Sequence, residues 1–190
     1  MRRRPPVALL AALLLTAGCA TGPISPPPQS PRPATGATGE RVNGLDLVFL
    51  TTMVAHTEQT LQIVRLGRDR ASDEEIRTLA AAIEVTEADE LATMRAWLRD
   101  AGPTATAGGH RHEHAGHADA DLARLRAAPP AQADGVLLDV LSDHQQAAAD
   151  LARAHLDVGA SPRVRDLARR IERSRTAQVT LMAAMPAARR

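Results

Sequence analysis

The chain has 190 residues, enough for one ordinary domain or two very small ones. Phe49 and Trp97 are its only aromatic residues, too few for a base-stacking nucleic-acid platform or an aromatic-rich β-sandwich. All 23 basic residues are arginine and the formal charge is only +1, so a basic nucleic-acid footprint is absent and no nucleic-acid partner is expected.

Residues 1–18 read as a signal peptide. Arg2, Arg3 and Arg4 form a cationic start, Val7–Leu15 an apolar run too short to span a bilayer, and Leu15-Thr-Ala-Gly-Cys19 a small-residue end. The segment resembles a bacterial lipoprotein signal, with Thr16 where Leu is more usual. That resemblance implies cleavage before Cys19, lipidation of its thiol, and a chain anchored by lipid on the extracytoplasmic face of the cell membrane. Cleavage would remove three of the 23 basic residues and no acid, leaving 20 against 22. Cys19 is the single cysteine, so no internal disulfide can form. Residues 19–44 are rich in Pro, Gly, Ser and Thr, and bury too little apolar surface to fold alone. They are expected to form a disordered, semi-extended tether.

Four long helices are expected after the tether. The first runs from about Leu45 to Arg68, with a stripe of Leu45, Phe49, Met53, His56, Thr60 and Ile63 at spacings of three and four. The second opens at Ser72-Asp-Glu-Glu75, which has the form of a capping box with Ser72 as the cap, and stops at Gly102-Pro103. Residues 103–132 form a His-rich linker with a short helix expected near Asp119–Ala127. The third helix spans about Ala133 to Val158. The fourth opens at Ser161-Pro162, a cap followed by Pro at the first helical position, and ends before Pro186.

The chain repeats itself with an offset of 88 residues. Asp46, Phe49, Met53 and His56 align with Asp134, Leu137, Leu141 and His144. Ile76, Ile83, Glu84, Glu87 and Met94 align with Val164, Ile171, Glu172, Arg175 and Met182. Two helical hairpins, 45–102 and 133–186, are therefore expected to pack as an all-α four-helix bundle, because neither can bury its stripe alone.

Each apolar stripe has a polar interruption: His56, Glu87 with Glu90, His144, and Arg175 with Gln178. Counted from the hairpin turns, His56 and Glu87 both lie roughly 21–23 Å along the helices, at ~1.5 Å per residue. His144 and Arg175 bear the same relation to the second turn. One polar layer should cross the bundle. It is either a metal or proton-transfer site, or a closed layer in which Arg175 forms a core ion pair with Glu87 or Glu90. An internal cation opposes a metal site. Neither the second nor the fourth helix carries the Glu-x-x-His of di-iron bundles, and no nucleophile elbow is present, so no catalysis is expected.

The run Asp46-Leu-Val-Phe49-Leu-Thr-Thr-Met53-Val-Ala-His56-Thr57 resembles domain-of-unknown-function family 305. So do Glu87, Glu90-Leu91, Met94 and Trp97-Leu98 on the next helix. The resemblance covers about Leu45 to Met185 and implies a ferritin-like four-helix bundle, exported and often lipid-anchored. It also implies copper, which some members bind in the cell envelope through His and Met. Carried over residue by residue, the candidate ligands are Met53, His56, Glu90, Met94, His144 and Met182. Thr57 and Gln145 stand where the family usually pairs a second His, and Leu141 replaces the Met of the second repeat.

Four of the seven histidines, His110, His112, His114 and His117, fall within eight residues of the linker. Imidazoles on a Gly-rich segment can wrap copper, zinc or nickel without a preformed cage. Alternatively the segment is a plain solvated linker or a pH sensor. Two functions are thus expected from the sequence. The first is a lipid-anchored bundle that binds or buffers a transition metal, copper before zinc and without an organic cofactor. The other is a non-catalytic structural or interaction domain of the envelope whose metal site has decayed. No feature names a protein partner.

Overall fold

The computed structural model describes residue 42 and residues 44–102 and 114–189. The signal peptide, Cys19, most of the tether, His110 and His112 lie outside the described residues. Among the described residues five α-helices follow in chain order: α1 (Gly44–Arg70), α2 (Glu74–Asp100), α3 (His114–Ala127), α4 (Ala133–Val158) and α5 (Pro162–Ala184). Among the described residues there is no strand. α1 packs against α2 and α4, and α4 against α5. The two hairpins thus form one bundle joined through their first helices. α1 and α4 approach closely where Gly67 faces Leu137: a Cβ on Gly67 would sit 2.1 Å from a Leu137 methyl.

The core is two apolar clusters with a polar layer between them. One holds Ile63, Ile76, Ile83, Leu137, Leu141 and Met182. The other holds Phe49, Met53, Met94, Ala152, Leu167 and Ile171. On every long helix, the polar residues that interrupt the stripe lie between the residues given to the two clusters.

Two local expectations are corrected. Leu45 heads the expected stripe of α1 but is 56% exposed, because the stripe turns away from the core in the first turn. Ser72 does not cap α2. Asp73 does, its carboxylate accepting from the amides of Glu75 (2.8 Å) and Ile76 (3.3 Å). Ser72 instead turns to the other hairpin, its amide donating to Asp134 at 2.8 Å. Ser161 takes the cap position of α5 with Pro162 at the first helical position, as expected, and its hydroxyl makes no capping bond.

The linker is corrected as well. It carries the 14-residue helix α3, longer than the short helix expected there. Leu122 and Leu125 of that helix, with Ala128 after it, are buried, and α3 packs on α1 and α4. Three residues at helical spacing provide the apolar face, and the open side of the first apolar cluster receives it.

Candidate functional site

The polar layer is built from four helices and reached by a fifth. Arg175 of α5 is 1% exposed and meets two carboxylates of α2. Its Nε lies 3.4 Å from Oε1 of Glu87, and its Nη2 donates to Oε2 of Glu90. Gln145 of α4, also buried, donates from Nε2 to the same Glu87 oxygen at 2.7 Å. One guanidinium therefore serves two carboxylates, and an amide shares the load. Burial dominates at Glu87 and pushes its carboxyl above the ordinary 4.5; the attraction of Arg175 and the Gln145 bond oppose that rise, and Glu90 adds to it.

The two repeat-related histidines lie together. Their ring centroids are 5.2 Å apart and the planes tilted by 36°. His56 Nε2 lies 3.0 Å from the backbone oxygen of His144. A carbonyl only accepts, so the His56 proton in this bond sits on Nε2. His144 Nε2 lies 3.3 Å from Oδ2 of Asp121 on α3. Burial lowers the His144 pKa below 6.5, against the upward pull of Asp121. His144 Nδ1 and the Oε1 atoms of Gln145 and Gln178 are buried without a partner among the described residues.

The layer thus brings together Glu87, Glu90, Arg175, His56 and His144 of the expected residues. The sulfur ligands are elsewhere. Met53 and Met94 sit in one apolar cluster and Met182 in the other, where Ser142 Oγ approaches its sulfur at 3.8 Å. Among the described residues no three His, Cys, Asp or Glu side chains gather as a metal-holding group. His114 and His117 fall in the first turn of α3; their side chains lie outside the described residues. As it stands, the layer can fix helix register and hold a proton at Glu87. Its carboxylates are engaged by Arg175 and Gln145.

A second buried polar cluster escaped the sequence reasoning. Asp46 of α1 is fully buried. Its two oxygens accept from the amides of Ala160 (3.1 Å) and Ser161 (3.0 Å) in the α4–α5 turn. His155 Nε2 lies 3.1 Å from Asp46 Oδ1, and its ring stacks on Phe49 with centroids 4.3 Å apart. The signal was present in the repeat. Asp134, 88 residues on, contacts Ser72, and Ala160 lies 88 residues after Ser72. Each hairpin's first helix therefore caps the turn of the other hairpin. The exposed face obeys the same symmetry. Arg65 pairs with Glu84 at 2.8 Å, and Arg153 with Glu172 at 3.3 Å.

Fold and layer together define a helical-bundle protein made by duplication of one hairpin, with a paired charged layer at its centre. The chain belongs to DUF305, a family of unknown function whose model matches residues 46–186. It resembles a DUF305 fragment from Deinococcus radiodurans at 24% identity and a TM-score of 0.66, covering 74% of this chain and 94% of that one. It also resembles a DUF305 protein from Streptomyces coelicolor, provisionally designated as secreted. There the identity is 26% and the TM-score 0.65, over 73% of this chain and 89% of that one. No curated protein matches the sequence.

Proposed function

We propose that this chain is an exported, lipid-anchored, non-catalytic bundle that binds or buffers a transition-metal ion through the histidines of its inter-hairpin segment. The carrying observation is the engagement of the layer's own carboxylates. Arg175 reaches both Glu87 and Glu90, so a metal entering the bundle would meet a fixed cation. Coordination falls instead to His110, His112, His114 and His117. Imidazole donors favour Cu(II) over Zn(II) by the usual order of divalent affinities, which makes copper the first choice. Export is supported by residues 1–18, by Ala17-Gly18-Cys19, and by the provisional designation of the Streptomyces relative as secreted. No helix among the described residues is long and apolar enough to cross a membrane, so attachment falls to the Cys19 lipid.

Calorimetry with Cu(II) and Zn(II) tests this on the mature chain. The wild type should show a binding event that disappears when all four histidines become Ser. Equal stoichiometry in both proteins would move the ligands to His56 and His144. No heat in either would favour the second reading, a structural or interaction domain. The engagement of both layer carboxylates by Arg175 supports that reading too.

A further inference from the structure

Of the five described α-helices, α3 alone lies outside the two repeated hairpins. It packs on α1 and α4 through one short apolar face, Leu122, Leu125 and the following Ala128. Pro129 and Pro130 separate it from α4, so it can leave the bundle without unwinding that helix. Three polar ties hold it. Arg124 donates to Asp139 at the surface, and Arg70 donates to the Ala128 carbonyl. The third tie reaches inward. Asp121 Oδ2 lies 3.3 Å from Nε2 of His144, a buried member of the polar layer. An ionised carboxylate only accepts, so the proton of that bond is on Nε2. The other nitrogen of the neutral ring, Nδ1, is buried without a hydrogen-bond partner among the described residues.

We propose that α3 is an acid-released lid over the apolar surface between α1 and α4, with His144 as the group that takes up the proton. Charging His144 puts a second N–H on Nδ1, where no acceptor among the described residues meets it. It also sets that charge beside the ring of His56 on α1, with centroids 5.2 Å apart. Asp121 on α3 and Asp143 on α4 attract the charged ring. Glu87 and Glu90 of α2 and Arg175 of α5, the other charged groups of the layer, are engaged with one another. Burial outweighs the attraction and keeps the His144 pKa below 6.5 while α3 is docked. Undocking α3 opens the Nε2 edge of the ring to water and relieves that burial. Docking is therefore fully supported above the ordinary 6.5, and the support is lost as pH falls through the docked value. Over that window one proton shifts the docking equilibrium by up to ~tenfold per pH unit. Release bares the part of the first apolar cluster that Leu122 and Leu125 cover, while the hairpins stay joined through α1 and α4. Neither metal binding nor the lipid is needed for this.

Hydrogen exchange of the mature chain tests the lid, with each amide's rate divided by its intrinsic rate at the same pH. The α3 amides should be less protected than the inner amides of α4 and α5, because α3 opens by itself. Their protection should fall several-fold from about pH 7.5 to about pH 5.5. His144→Gln keeps a donor for Asp121 and cannot charge, so it should flatten that dependence in α3. His155→Gln removes the other buried histidine, far from α3 in the second cluster, and should leave the α3 profile as in the wild type. Asp121→Asn still offers the neutral ring an acceptor but no longer attracts the charged one, so its fall on acidification should be larger. This change lies on the lid itself and keeps the test open if His144→Gln does not fold. Protection of α3 equal to that of α4 and α5 would overturn the proposal, since no separate opening would then exist. Protection that holds or rises on acidification would overturn it too, by showing that the Asp121 attraction wins. So would a wild-type profile in His144→Gln, or a smaller fall in Asp121→Asn.

Discussion

Glu87 and Arg175 stand 88 residues apart, at equivalent positions of the two repeats, and meet in the centre of the bundle with Nε 3.4 Å from Oε1. The duplication thus ends in opposite charges where a symmetric pair would place two like ones. Glu90, the neighbour of Glu87, takes the other side of the guanidinium.

Removing the cation alone should be severe. Arg175→Met strands two carboxylates in the core and should destabilise the fold by ~3–5 kcal/mol, measured by urea unfolding. Because both carboxylates depend on Arg175, adding Glu87→Gln should recover only part of the loss. Adding Glu90→Gln as well should recover more. Full recovery from the Glu87 change alone would show that Glu90 contributes little to holding Arg175.

The titrating groups of the bundle should pull in opposite directions with pH. Burial raises the Glu87 pKa above 4.5, so its contribution is present below 4.5 and is lost as pH rises through the folded value. Burial lowers His144 and His155 below 6.5, so their contribution is present above 6.5 and is lost as pH falls through their folded values. Unfolding measured as a function of pH should therefore show Glu87→Gln gaining on the wild type as pH rises from 4.5. The double variant His144→Gln, His155→Gln should lose less stability than the wild type on acidification below pH 6.5. Parallel curves for all three proteins would contradict the assignment.

The reciprocal turn contacts should differ in worth. Asp46 is fully buried and binds two amides beside His155, whereas Asp134 contacts Ser72 in a more open setting. Asp46→Ala leaves buried amides unpaired and should cost about 3 kcal/mol. Asp134→Ala should cost about 1 kcal/mol, like the loss of an ordinary cap. Thermal melts of the two variants would show the order, and equal shifts would remove the distinction.

Anchoring has its own test. A Cys19→Ala variant expressed in cells should lose acyl-chain labelling and leave the membrane fraction. Wild-type chain that carries no label and still sediments with membranes would reject lipidation.

Periodicity alone determined much of this protein. The spacing of Phe49, Met53 and Ile63, the Ser161-Pro162 start and the 88-residue offset define four long helices and a bundle of two hairpins, because helix formation and amphipathicity are local. The common height of His56, Glu87, His144 and Arg175 also followed from counting, since rise per residue is fixed. Partner choice did not. Only the packed structure shows Arg175 spanning both Glu87 and Glu90, Gln145 completing the Glu87 contacts, and Asp121 reaching His144 from α3. It alone moves Ser72 from capping its own helix to Asp134, and commits Asp46 to a turn more than a hundred residues away. A polar side chain in a stripe can face several neighbours at the same height. Which one it meets depends on how closely two helices approach, and that distance is set by contacts such as Gly67 against Leu137 that belong to both helices at once.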